Sequence, residues 1–332
     1  MKTAVVILNW NGQKLLEQFL PSVVLHSKKD AKLYVIDNAS TDTSVQFLKE
    51  YYPEIKLIQN SSNFGYAKGY NEGLKKVEAD LFVLLNSDVK VTENWLNPLK
   101  DEFLKNQNLA AAQPKILDFK NKSHFEYAGA AGGFIDKYAY PYCRGRIFNT
   151  IEKDNGQYND SRTIFWASGA CLFVRKEYFH KAGGFDEDYF AHQEEIDLCW
   201  RFFNLGLESK YISTSKVYHL GGATLKNTNP KKTFLNFRNS LFNLLKNAPQ
   251  KSVFQVILIR MILDCIAGIH FLISFKFLHF TAILKAHFSF YIHFKKIIKK
   301  RNNTTNYPIY YQSKSIIFLY FVKQLKSFDS IK

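Results

Sequence analysis

The chain has 332 residues, 46% of them hydrophobic and 16% aromatic, enough to bury a sizeable core as one large α/β domain with an appendage. Its net charge of +16 suggests nucleic-acid binding, but residues 1–225 carry 27 Lys and Arg against 27 Asp and Glu. The whole excess lies in residues 226–332, where 18 basic residues face two acidic ones, Asp264 and Asp329, and sit among apolar stretches rather than along a polar groove. That distribution weighs against a nucleic-acid binder.

In chain order, the β-branched run Thr3 to Asn9 reads as a buried parallel strand and is too short for a signal peptide. A helix through Leu15, Leu16, Phe19 and Leu20 follows, then a strand over Lys32 to Asp37 and a helix over Thr41 to Tyr51. A strand over Ile55 to Gln59, a Gly-interrupted helix over Phe64 to Val77 and a strand over Asp80 to Leu85 complete the series. Strand alternating with helix at this spacing predicts a doubly wound, mostly parallel sheet flanked by helices. Ligands bind such sheets beyond the carboxyl ends of the strands, where Asn9, Asp37 and Asp88 fall. Residues 110–165, rich in Gly, Tyr and Asn, read as loops. Ser168 to Val174 reads as a strand, Glu194 to Leu205 as a helix, and Val217 to His219 as the strand that ends the domain.

From Ser252 to Phe294 apolar and aromatic residues dominate, interrupted by Arg260, Asp264, Lys276 and Lys285, so no run of about 20 uninterrupted apolar residues occurs. Ten Lys and Arg and no acidic residue lie between Asp264 and Asp329. Five of them, Lys295, Lys296, Lys299, Lys300 and Arg301, form one cluster. Amphipathic helices flanked by such a cluster suit the surface of an anionic membrane. The same pattern also fits a helical subdomain with solvated charges, or a re-entrant hairpin. Cys143, Cys171, Cys199 and Cys265 form no CxxC pair, which argues against a zinc site or disulfide framework and fits a reducing compartment.

Four segments offer chemistry. Asp37 and Asn38, in VIDNAS, end a strand and either accept hydrogen bonds from a base or ribose or form an Asx turn. Asp88, in LLNSDV, either binds a divalent metal that neutralises a diphosphate or is a polar turn. Glu194, Glu195 and Asp197 crowd a predicted helix N-terminus, where the dipole favours anions, yet they sit among Tyr189, Phe190 and Trp200. Glu195 and Asp197, two apart, cannot share a helix face. His219 ends the last strand in VYHLGG, and a lone His is more often structural than a ligand.

Taken in order, NWNG, DNAS, NFGYAKGYN, LNSDV, WASGACLFVRKEYFHKAGGFDEDYF, EEIDLCWR and VYHLGG resemble the family-2 glycosyltransferases. The likeness is greatest to the rhamnosyltransferase-type branch that builds bacterial surface polysaccharides, and it covers about residues 1–225. It implies a GT-A fold over 1–225 and a helical, membrane-associating region over 226–332. It also implies inverting transfer of a single sugar from a nucleoside-diphosphate sugar to a glycan or lipid-linked glycan acceptor. Mg2+ or Mn2+ would be the cofactor, and the enzyme would be cytoplasmic and peripheral on the inner face of the membrane. The resemblance places Asn9, Asp37 and Asn38 in the nucleotide pocket, and Asn63, Gly65 and Asn71 beside the donor. Asp88 becomes the metal ligand, helped by His219, with Asn86 where the first acid of the DXD motif usually stands. Glu195 becomes the general base, with Asp197 as supporting carboxylate. An oxidoreductase is disfavoured because NWNG replaces G-x-G-x-x-G, and no Walker A pattern occurs. A non-catalytic nucleotide-sugar-binding or scaffold protein on the same fold is the alternative.

Overall fold

The computed structural model describes residues 1–222, 229–301 and 309–331. The first half alternates as the sequence predicts: β1 (Thr3–Asn9), α1 (Gln13–Ser27), β2 (Lys32–Asp37), α2 (Ser44–Tyr51), β3 (Lys56–Gln59), α3 (Gly65–Leu74) and β4 (Leu81–Asn86). The strands lie in the order β3-β2-β1-β4, all parallel. Their side chains alternate between two cores. Ala4, Val6, Tyr34, Ile36, Phe82 and Leu84 face one layer, and Val5, Ile7, Val35, Leu81, Val83 and Leu85 the other. Register brings Asn9 opposite Asp37 and Leu8 opposite Asn86, so the polar strand ends meet at one edge.

The second half corrects the reading of residues 110–165 as loops. After β5 (Val89–Val91) and α4 (Asn97–Lys105), β6 (Leu109–Asp118) is a ten-residue buried strand inside the main sheet. Its LAAAQPKILD sequence has low β-propensity and a proline, which a central strand rarely carries. Pro114 is tolerated because the ladder breaks there: the register shifts between its partner Ile212 and Lys216. Next come β7 (Gly133–Ile135), β8 (Pro141–Cys143), β9 (Arg146–Ile147) and β10 (Thr150–Ile151), a small antiparallel sheet. β11 (Arg162–Ile164), β12 (Cys171–Arg175), α5 (Lys176–Lys181), α6 (Glu194–Asn204) and β13 (Glu208–His219) finish this half. β12 runs antiparallel between β4 and β6, and β13 lies parallel to β6 and antiparallel to β11 and β5.

Three helices follow: α7 (Pro230–Asn247), α8 (Val253–Ile273) and α9 (Phe277–Ile298). The expected boundary at 225/226 lies outside the described residues. By length and composition alone α8 could cross a membrane, although Arg260 and Asp264, paired at 2.7 Å, interrupt its apolar run. The basic cluster is also not one surface patch. Lys300 pairs with Asp186 and Asp188, Lys296 pairs with Asp188, and Arg301 donates to the carbonyls of Leu245 and Ala248.

Candidate active site

The carboxyl ends of β1 and β2 form a tight polar corner. Asp37, buried, accepts from Asn9 Nδ2 (3.1 Å), Ser40 Oγ (2.6 Å) and Ser40 N (2.9 Å). Asn9 Oδ1 is buried with no hydrogen-bond partner among the described residues, an acceptor waiting for a donor. Asn38 faces inward. It donates to Asn63 Oδ1 and the Gly65 carbonyl, both at 3.0 Å, and accepts from Asn60 Nδ2. Asn63 Oδ1 also accepts from Gly65 N, and Asn71 clamps Phe185 through both its N–H and its carbonyl. Asn38 and Asn71 thus use their side-chain amides on neighbouring loops, and the exposed Asn63 uses its Oδ1 on Asn38 and Gly65. Gly65 has φ +75°, and a Cβ there would sit 2.7 Å from the Phe190 ring, so its role is to admit the loop before α6.

Across the sheet, antiparallel pairing of β5 with β13 carries His219 to Asp88. His219 Nε2 lies 3.1 Å from Asp88 Oδ1, and Nδ1 lies 3.3 Å from Glu126 Oε1, all three residues buried. Burial would lower the imidazole's pKa, but Glu126 and Asp88 outweigh it and push it up to about 10. Among the described residues no group of three or more His, Cys, Asp or Glu is arranged to hold a metal. Asp88 and His219 carry a carboxylate oxygen and an imidazole nitrogen, donors that would suit a divalent cation once His219 gives up its proton. A carboxylate behind the histidine is the usual orienting partner. Glu126 comes from a loop with no pattern around it, so nothing in its neighbourhood marks it as a partner of His219. Asn86 is joined to this region through its N–H, which donates to the Ala170 carbonyl at 3.0 Å.

α6 opens on Glu194 and Glu195. Glu195 is partly exposed and stands against Gly169, where the Tyr66 hydroxyl donates to the Gly169 carbonyl at 2.9 Å. Enclosure pushes the Glu195 carboxyl up to about 7, against the lowering effect of the amides of Glu195, Ile196 and Gln193. Glu194 is buried, its Oε2 has no hydrogen-bond partner among the described residues, and burial with the neighbouring Glu195 raises it well above the carboxylate range. Asp197 points the other way. It is fully buried and accepts from Arg201 (2.8 Å), Lys246 (2.8 Å) and Asn247 (2.9 Å). These partners are all protein groups, so Asp197 braces the start of α6 against α7.

The loop before α6 is strained. Phe190, His192 and Gln193 all have φ between 63° and 69°, a region that non-glycine residues enter at a cost of order 1 kcal/mol each. α7 holds it there. Asn239 Nδ2 lies within hydrogen-bond reach of the carbonyls of Tyr189 (3.2 Å), Ala191 (3.0 Å) and His192 (2.7 Å). Arg238 donates to the carbonyls of Asp188 and Tyr189, and the Gln193 side-chain Oε1 accepts from Ser240 and Asn243. Lys246 bridges Asp186 (2.7 Å) and Asp197 (2.8 Å). The sequence reading assigned none of these α7 residues to the site. Their spacing was a readable signal: 239, 243 and 246 line one face of a helix and are polar, although that face is buried.

The mostly parallel sheet flanked by helices, with an acid beyond β4 and a carboxylate at a helix start, has the architecture of a GT-A glycosyltransferase. Residues 4–183 match the family described as Glycosyl transferase family 2, and the chain belongs to that family. It is 26% identical over 229 residues to the N-acetylglucosaminyl-diphospho-decaprenol L-rhamnosyltransferase of Mycobacterium tuberculosis, a match covering 65% of this chain and 75% of that one. It is 23% identical to the dTDP-rhamnosyl transferase RfbF of Shigella flexneri, covering 66% and 73%. The fold resembles that of a mannosyltransferase from Pyrobaculum calidifontis in complex with GDP-Man and Mn2+, with TM-score 0.53, 13% identity and 87% of each chain covered. It also resembles GalNAc-T7 with UDP, GalNAc and Mn2+, with TM-score 0.54 and 18% identity, covering 66% of this chain and 43% of that one.

Proposed function

We propose that this glycosyltransferase moves one sugar, with inversion, from a nucleoside-diphosphate sugar to a hydroxyl of a lipid-linked glycan. The observation that carries the reading is Glu195, a partly exposed carboxylate whose pKa near 7 suits a general base at neutral pH. Glu195 takes the proton of the acceptor hydroxyl as that oxygen attacks the anomeric carbon, and the bond to the diphosphate breaks on the opposite side. A single displacement needs one such base, and it inverts the centre. Asn9 and Asp37 hold the base or ribose, with Asn9 Oδ1 as the open acceptor. Asp88 and His219 would hold Mg2+ or Mn2+, with Asn86 beside them offering a carbonyl oxygen in place of the missing first acid. When bound, the cation neutralises charge on the departing diphosphate. Glu126 keeps His219 oriented.

The named activities of the Mycobacterium and Shigella relatives favour a deoxyhexose donor such as dTDP-rhamnose, and the former's name favours a polyprenyl-diphosphate acceptor. The test is a donor panel with Mg2+ or Mn2+, with nucleoside-diphosphate release read with and without chelator and the product anomer assigned by NMR. Metal-dependent release from one donor and an inverted product are expected. Release that chelator leaves intact would remove the metal role, and a retained anomer would remove the single displacement.

A further inference from the structure

Two cations stand together near the Asp88–His219 pair, and no step of the transfer uses them. Arg146, in β9, is 6% exposed. Its Nε donates to the Tyr127 carbonyl at 2.9 Å, and its Nη2 reaches the Cys143 sulfur, a weak acceptor, at 3.5 Å. Among the described residues no carboxylate lies within ion-pair reach of its guanidinium. Arginine is rarely this buried without an anionic partner, and its planar fork suits phosphate oxygens.

Lys232, in the first turn of α7, reaches the same place from another part of the chain. The Arg146 guanidinium lies 4.5 Å and the Lys232 ammonium 5.8 Å from the centroid of the Tyr127 ring. Burial and the nearby Arg146 lower the ammonium's pKa, against the pull of Glu126. The helix itself also disfavours a lysine there. The first turn of α7 carries no acid, and its dipole presents a partial positive charge that repels cations and attracts anions. His192, in the loop that leads to Glu195, completes the group. Burial and the Lys232 charge lower its pKa to about 4, so the imidazole is neutral, and its Nε2 is buried with no hydrogen-bond partner among the described residues.

Glu126, whose charge both cations feel, is already engaged. Its Oε1 faces His219 Nδ1 at 3.3 Å, and its Oε2 accepts from the Ala128 N–H at 2.6 Å. Two like charges held at one ring, beside the positive end of a helix, repel each other until an anion joins them. We infer that Arg146 and Lys232, with His192, form a diphosphate-binding site separate from Asp88, on the Glu126 side of the His219 ring. Either the lipid-linked acceptor or the nucleotide-sugar supplies that diphosphate, and both sources rest on the transfer proposed above. The placement of the cations does not.

Inorganic pyrophosphate is the probe, titrated by calorimetry into the full chain with chelator present, so that no divalent cation carries it to Asp88. Wild type should bind it. Lys232→Gln and Arg146→Gln should each weaken binding by about tenfold or more, the loss of one contact to a charged group. Arg146→Lys should keep most of the affinity. Lys232→Gln takes a cation from a helix start, so its Tm should stay level or rise, which separates lost affinity from lost folding. Glu195→Gln should bind pyrophosphate as wild type does, so a failure of Glu195 as the base would leave this site standing. In turnover, a KM raised for the diphosphate-linked acceptor in Lys232→Gln assigns the site to the acceptor, and a KM raised for the nucleotide-sugar assigns it to the donor. No pyrophosphate binding by wild type, or undiminished binding by Lys232→Gln and Arg146→Gln, would overturn the site. A lowered Tm in Lys232→Gln with affinity unchanged would make the pair structural.

Discussion

The two parts of this chain divide by charge but not by packing. Residues 1–225 are neutral overall and residues 226–332 strongly basic, and composition alone suggests a catalytic body with a detachable tail. The structure shows α7, on the basic side of that line, gripping the loop that leads to Glu195. Two of the five clustered basic side chains, Lys296 and Lys300, are paired with Asp186 and Asp188, just ahead of the same loop. The lesson is that net charge records what a region meets at its surface, whereas buried ion pairs record what it is built into. Lys246, 3% exposed between Asp186 and Asp197, belongs to the site. Lys299, exposed on α9, belongs to the outer surface.

Breaking the inner half of that contrast should give the largest effect. Lys246→Met leaves two buried carboxylates without their shared cation, which costs about 3–5 kcal/mol; urea unfolding measures it. Ion pairing with Lys246 and Lys300 overcomes burial to hold Asp186 below the usual carboxylate range, and Arg201 with Lys246 does the same for Asp197. Their stabilisation is therefore present above the ordinary carboxylate pKa of about 4 and is lost as pH falls toward the folded values. The acid limb of the stability curve should flatten in Lys246→Met, and an unchanged limb would show that other groups set it.

Asp88→Ala removes the carboxylate proposed for the cation, and metal-dependent turnover should fall by about 100-fold, a typical electrostatic contribution. Asn239→Ala should lower kcat by about 10- to 100-fold with KM little changed, since it frees carbonyls before α6 at about 1–3 kcal/mol. As a control on a merely structural role, the acid limb of its rate–pH profile should move from near 7 toward the ordinary Glu value as Glu195 gains solvent. The smallest effect belongs to the outer half: Lys299→Gln should weaken binding to anionic vesicles by about 1 kcal/mol and leave transfer untouched.

Much of the fold was legible because its first half obeys simple periodicity. Thr3–Asn9, Lys32–Asp37 and Leu81–Asn86 are β-branched or apolar runs that end in polar residues, and those ends mark where the site lies. β6 was hidden because alanines and Pro114 mask a strand whose place is set by its neighbours rather than its own propensity. Candidate site residues stand out in sequence where a polar side chain ends a strand or starts a helix, as Asp37, Asp88 and Glu195 do. The site was not legible where a role depends on distant contact. Glu126 meets His219 across 93 positions, and Asn71, which reads as a donor contact, is taken up by Phe185. The partners that hold Asp197, Lys246 and Asn247, lie about 50 positions away on α7 and leave no trace in the motif around it.

The central claim is that Glu195 is the base, and its most direct test pairs turnover with donor binding. Donor affinity by calorimetry and transfer rate would be measured on wild type and Glu195→Gln from pH 5.5 to 8.5. The account expects the wild-type kcat/KM to rise with pH through about 7 and then level. It expects Glu195→Gln to lose about 100- to 10,000-fold in transfer, the range of general-base contributions, while binding donor as before. Near wild-type turnover in Glu195→Gln, or a wild-type profile flat across pH 7, would contradict it.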